Sequence, residues 1–185
     1  TTRKHIYLIL LFGLSYFGII FFAFTPLSRI IDESGYSTQD LQSVMFREEA
    51  QTIVSTWITA NVFTQVKWLY VFDYLFILCG FLLFWSMYSL MFRIFKNRTI
   101  WQNFPKFGFW CTVLSRFSDS LENFCTILIF SNPLNFPARI LPSLRIISLI
   151  KWIFVSIEFT ILLIGIIAIV GYYTNKNKLR QTPDE

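Results

Sequence analysis

The sequence predicts an all-α protein, a four-transmembrane-helix bundle with a short amphipathic helix outside the membrane between the first and second spans. Three observations predict it. Of the 185 residues, 55% are hydrophobic and 19% aromatic, and only 15% are charged, against about a quarter in soluble domains. The apolar residues gather into four runs, 6–24, 68–92, 107–130 and 146–173, each near or above the ~20 residues that a helix needs to cross a bilayer. Basic residues sit mostly at the ends of those runs. The length allows one integral membrane domain, 1–185. A disordered chain, a coiled coil and a disulfide scaffold are excluded. The formal charge of +5 is placed as a topology signal rather than as a stripe, so nucleic acid is not a partner.

The first span, 6–24, is expected to stay as a helix, because its run is too long for a signal-peptide core and no small-x-small cleavage site comes before Thr25-Pro26. The loop 25–67 holds two helix signals. After Gly35, Ser37-x-x-Asp40 has the pattern of a capping box. From 47 to 58, Ala50, Ile53, Val54 and Trp57 share one helical face while Glu48, Glu49 and Gln51 point away from it. That segment predicts a helix on the outer rim, covering the helix ends or acting as a lid or partner surface. Residues 131–137 (SNPLNFP) and then Pro142 predict an irregular link between the third and fourth spans.

Arg3, Lys4, Arg93, Lys96, Arg98, Lys106, Lys176, Lys178 and Arg180 fall on one side of this arrangement. The other side carries Arg29, Arg47 and Lys67 set against five carboxylates, and a short loop with Arg139, Arg145 and Lys151. The positive-inside rule puts both termini in the cytoplasm. Trp68, Trp101, Trp110, Tyr172 and Tyr173 fall near helix ends, where interfacial anchors belong. Asn97-Arg98-Thr99 matches a glycosylation sequon but lies on the cytoplasmic side, so it is a chance match. Cys79, Cys111 and Cys125 lie inside spans without C-x-x-C spacing, and His5 is the only histidine. No metal centre, His-based triad or cofactor is expected from such material.

Charge inside the spans is the informative feature, because an intramembrane ionisable residue marks a functional site by default. The second span carries Asp73, the third Arg116, Asp119 and Glu122, and the fourth Glu158, with Lys151 nearer its outer end. Thr112, Ser115, Arg116, Asp119, Glu122, Asn123 and Thr126 recur at three- and four-residue steps, which puts them on one face of the third helix. Eleven Phe, Leu, Ile and Val residues in that span, at about 0.5 kcal/mol each, favour insertion by about 5 kcal/mol, while its three charges cost about 3 kcal/mol each. The third helix must therefore turn this face to protein or to a wet cavity. Arg116 is expected to pair with Asp119 or Glu122 on its own face, or with Asp73 or Glu158 across the bundle. One Arg and one Lys cannot neutralise four carboxylates, so at least one carboxyl is expected to stay neutral if all four share a depth. A neutral carboxyl beside an ionised one suits proton transfer, or the grip of a cationic or hydroxylated ligand. The alternative is a hydrogen-bonded ion-pair network that only fixes helix pairing.

Segments 46–57 (FREEAQTIVSTW), 73–80 (DYLFILCG) and 119–123 (DSLEN) resemble a family of uncharacterised bacterial four-helix integral membrane proteins. These show a short outer helix ending in Trp, D-[YF]-x-F in the second span and D-x-x-E-N in the third. The order and spacing cover about half of the chain, with Cys79-Gly80 where the pattern has Tyr-Gly. The resemblance implies one recurring site containing Asp73, Asp119, Glu122 and Asn123, and the expected location of the chain is a bacterial inner membrane. It brings no activity with it.

The expected function is binding of a lipid or small amphiphilic molecule. Asp73, Arg116, Asp119, Glu122, Asn123 and Glu158 would form its polar floor and the outer helix its lid. Three alternatives stand beside it. One is an intramembrane acid–base enzyme, isomerase-like, with Asp119 and Glu122 as acid and base. Another is a proton or cation pathway, which needs a homo-oligomer, and the last is an accessory subunit of a larger membrane complex.

Overall fold

The computed structural model describes residues 2–96, 101 and 103–181, and every regular element among them is helical. The elements are α1 (Thr2–Ile19), a π-helical turn (Ile20–Phe24), α2 (Thr25–Asp32), α3 (Thr38–Ser43), α4 (Arg47–Thr59), α5 (Phe63–Phe95), α6 (Asn103–Ser131) and α7 (Ile140–Gln181). The sequon Asn97-Arg98-Thr99 lies outside the described residues, as do the side chains of Tyr173, Lys176, Lys178 and Arg180.

The first span does not end at Phe24. Pro26 has no N–H to donate, and its ring would press on the carbonyl four residues back in an unbroken α-helix. A π-turn absorbs the conflict: the Thr25 N–H reaches the Ile20 carbonyl five residues back, and the Thr25 hydroxyl donates to the same oxygen at 2.9 Å. The chain then continues as helix to Asp32.

Between α2 and α5 the local signals act as read. Gly35 takes φ +101° in the turn, and Ser37 and Asp40 make both bonds of the capping box. Ala50, Ile53, Val54 and Trp57 of α4 are buried, and the Trp57 indole N–H donates to the Tyr36 carbonyl at 3.0 Å. At the end of α4, Asn61 turns left-handed at φ 60°. The Val62 and Asn61 N–H groups then reach back to the Trp57 and Ile58 carbonyls, a Schellman closure that starts α5 at once.

Helix starts therefore lie earlier than the apolar runs suggest. α5 includes Lys67, whose ammonium sits 4.5 Å from the centre of the Phe63 ring. α7 begins at Ile140, so Arg145 and Lys151 are helical rather than in a loop. Pro142 falls in its first turn, where no N–H is needed, rather than in the link.

Two apolar clusters mark the two ends of the bundle. At the capped end, Ile31, Leu41 and the buried face of α4 pack with Val66, Leu69 and Tyr70 of early α5, Ile129 and Phe130 of late α6, and Leu141 and Leu144 of early α7. At the other end, Phe84, Tyr88, Met91 and Phe95 of later α5 meet Cys111 of early α6 and Ile161 and Leu162 of α7. α6 therefore runs antiparallel to α5 and α7. α1 runs parallel to α6, since Phe24 packs at the capped end and His5 lies beside Arg93 and Lys106 at the other.

Three helical stretches, Arg3–Asp32, Phe63–Phe95 and Ile140–Tyr172, are long and apolar enough to cross a membrane. α6 runs beside them but carries Lys106, Arg116, Asp119 and Glu122 in its length. Its outer face is apolar, with Trp110, Phe117 and Phe124 more than half exposed. Trp68 is exposed near the start of α5, as an anchor would be. Trp101 instead stacks on Phe95 at 5.7 Å and belongs to the inner cluster.

Because the Trp57 ring is fully buried and its N–H is bonded, Trp57→Ala should cost about 3–5 kcal/mol. The exposed Trp68→Ala should cost less than about 0.5 kcal/mol. Thermal unfolding of the two variants in one detergent reads the contrast.

Candidate functional site

The polar face of α6 is the frame of the site. Thr112, Ser115, Arg116, Asp119, Glu122, Asn123 and Thr126 are all buried, as their spacing predicts. Three linked groups hang on it at successive depths.

Nearest the capped end, Asp73 of α5 accepts a 2.6 Å hydrogen bond from the Asn123 side-chain amide. It makes no ion pair among the described residues. Beside it, Lys151 of α7 donates to Asp119 at 3.1 Å and to Glu122 at 2.7 Å. The same Glu122 oxygen accepts from the Gln42 amide of α3 at 2.6 Å. Deeper, Glu158 of α7 is held from both sides: Ser115 donates to it at 2.9 Å and Arg116 approaches it at 3.4 Å. The Tyr88 hydroxyl donates to the Glu158 backbone carbonyl at 2.6 Å, which fixes α7 against α5.

Arg116 is oriented by shape as well as by charge. Its guanidinium lies 5.4 Å from the centre of the Phe84 ring. Gly80 leaves the room: a Cβ there would stand 3.0 Å from the Tyr16 ring and 3.5 Å from the Arg116 guanidinium carbon. Tyr16 in turn stacks on Phe76 at 4.3 Å.

These groups line a cavity of about 420 Å³, within the range of small-molecule sites. Its polar wall is Asp73, Arg116, Asp119, Glu122, Asn123 and Lys151, and α3 roofs it with Thr38, Gln39 and Gln42. The rest is mostly apolar, chiefly Ile20 and Phe24 from the first helix, Phe76 from α5, and Val155 and Phe159 from α7, with Tyr16, Ser28 and Tyr70 among them. The first helix packs along α5 and only marginally on α7, so the cavity occupies the gap between those two. Asp73, Asp119 and Lys151 lie about 15–18 Å from the capped ends of their helices at 1.5 Å per residue. In a low-dielectric interior such charges interact far more strongly than in water.

Five of the six ligand-site residues expected from the sequence line this cavity together. Glu158 does not: it is fully buried, pairs with Arg116 as its counter-charge and accepts a hydrogen bond from Ser115. The outer helix α4 is not the lid either, since its apolar face is spent on the capped-end cluster and the shorter α3 covers the cavity. Lys151 belongs to the site although its position suggests an outer loop. The signal for it was present, because Lys151 and Glu158 are seven residues apart and so share a face of α7. Gln42 carries no comparable signal, as its placement depends on Leu41 beside it being buried.

Glu158 and Arg116 form a buried pair, so removing one partner strands the other charge. Glu158→Leu is expected to cost about 3–5 kcal/mol, and Arg116→Leu/Glu158→Leu to recover most of that loss. Unfolding of wild type, Arg116→Leu, Glu158→Leu and the double variant in one detergent closes the cycle that measures the coupling. Comparison of the chain with protein-family models, curated proteins and solved structures gives no match, and the chemistry of the site therefore carries the functional reading.

Proposed function

We propose that the chain is a four-span membrane protein whose bundle binds an amphiphile with a cationic or hydrogen-bond-donating head, the head meeting Asp73. The fourth span is α6. At 29 residues it is about 43 Å long, more than the ~30 Å hydrocarbon core. Its charges point inward onto partners while its aromatic face points out, which offsets the insertion cost of those charges. Alternation of the four long helices and the basic residues near the N-terminus and between α5 and α6 support termini in the cytoplasm. The DYLF and DSLEN motifs support placement in a bacterial inner membrane.

One observation carries the ligand class. Both cations of the cluster are engaged, Lys151 by Asp119 and Glu122 and Arg116 by Glu158, whereas Asp73 stands at the cavity wall with a neutral amide as its partner. A carboxyl so placed is complemented by a ligand ammonium or hydroxyl. The apolar wall between the first helix and α7 suits the ligand's hydrocarbon part. Asp119 and Glu122 grip one lysine instead of standing free as acid and base, which argues for binding over isomerase chemistry. The buried placement of the span charges argues against the accessory-subunit reading, which calls for a charge facing lipid.

Titration of the purified full chain with dodecylamine, dodecanol and dodecanoic acid tests this reading. The amine is expected to bind at least about tenfold more tightly than the acid, a difference of about 1.4 kcal/mol, and Asp73→Asn should abolish that preference. Equal binding of all three probes, or an unchanged preference in a folded Asp73→Asn variant, overturns it.

A further inference from the structure

The opposite end of the bundle holds a second cavity, of about 730 Å³, between early α1, late α5 and early α6. Its charged lining is of one sign only: Arg93, Lys96 and Lys106, with His5 beside them. The sequence explains why. No Asp or Glu occurs in the sequence at 1–31, 74–118 or 159–183, and every described residue that lines this cavity comes from the first two of those ranges. Where the cluster around Asp73 has an excess of carboxylates, this end has an excess of cations.

Aromatic rings complete the cavity. Trp85, Phe92, Phe109 and Trp110 line it. Trp85 and Trp110 are both exposed, at 49% and 60%, and the Lys106 ammonium lies 5.5 Å from the centre of the Phe92 ring. The start of α6, a 29-residue helix, lies at the same place, with Pro105 and Lys106 on the cavity wall. Its first-turn N–H groups and dipole add positive potential there.

From this geometry we infer a binding site for a phosphate-bearing anion, carried by a phospholipid. Arg93 and Lys106 supply charge and donors to the phosphate oxygens. Tryptophans beside them are the side chains that favour the headgroup level of a bilayer. The cavity lies on the flank of the bundle and continues into the exposed aromatic surface, so a lipid can place its phosphate on the cations and its acyl chains along Trp85 and Trp110. Basic pockets between membrane helices recognise anionic headgroups on this physical basis. The site is separate from the Asp73 cavity and does not rest on the function proposed for that cavity.

The test is native mass spectrometry of the full chain in mild detergent, titrated with phosphatidylglycerol, with phosphatidylcholine and with inorganic phosphate. Wild type should retain phosphatidylglycerol at one or a few molecules per chain in preference to phosphatidylcholine. Arg93→Gln/Lys106→Gln should weaken that retention about thirtyfold, each basic residue near a membrane surface being a factor of about five. Lys67→Gln, at the capped end, should leave it unchanged and so controls for net charge. Retention of inorganic phosphate lost in the double variant, with no preference between the lipids, would keep the phosphate site but overturn the lipid as its source. Equal retention of both lipids with no phosphate effect, or undiminished retention by a double variant whose helical content and melting match wild type, overturns the site itself.

Discussion

A helix that carries Arg116, Asp119 and Glu122 in its middle cannot present that face to hydrocarbon, and the remaining helices are arranged around this constraint. The three central charges of α6 find their ionic partners on α7, Arg116 with Glu158 and both Asp119 and Glu122 with Lys151, while Gln42 of α3 adds a bond to Glu122 and Asp73 of α5 is tied through the neighbouring Asn123. The pairing dictates the rotation of α7 about its axis, since Lys151 and Glu158 must face α6 together. It also dictates that Trp110, Phe117 and Phe124 look outward. Ion pairs so deep contribute little net stability over an apolar core, because desolvation offsets much of the attraction. Their effect is on specificity, as any other rotation or register would strand a charge.

The ends of the bundle solve a different problem. At the capped end, α3 and α4 pack over the bundle, α3 held by the buried Leu41 and α4 by the buried face of Ala50, Ile53, Val54 and Trp57. That cover is continuous with the roof of the acidic cavity, so the packing of a six-residue helix is coupled to the electrostatics beneath it through Gln42. At the other end no such cap exists among the described residues. There the rings of Phe84, Tyr88, Phe95 and Trp101 fill the space between helices, and the surface is left basic and aromatic.

The two cavities therefore differ in sign for reasons visible in the chain. Carboxylates are confined to 32–73, 119–158 and the last two positions, and two of those segments fold to the capped half. The carboxylate-bearing wall of one cavity and the basic, aromatic lining of the other are the observations on which the two proposed sites rest.

Much of this was legible without coordinates. The all-α class, the amphipathic α4, the capping box and the one-sided polarity of α6 follow from periodicities and short local patterns, which depend only on neighbouring residues. Charge placement likewise made Asp73, Asp119, Glu122 and Asn123 candidates for one site. Tertiary structure alone decided which carboxyl received which cation, because that depends on the rotation and register of helices distant in sequence. It placed Lys151 in the cluster, paired the buried Glu158 with Arg116, made α3 rather than α4 the roof, and left Asp73 with a neutral partner. Helix starts also needed coordinates: Pro26 and Pro142 read as breaks, yet a π-turn absorbs one and a first helical turn accommodates the other, where the missing N–H has no bond to lose.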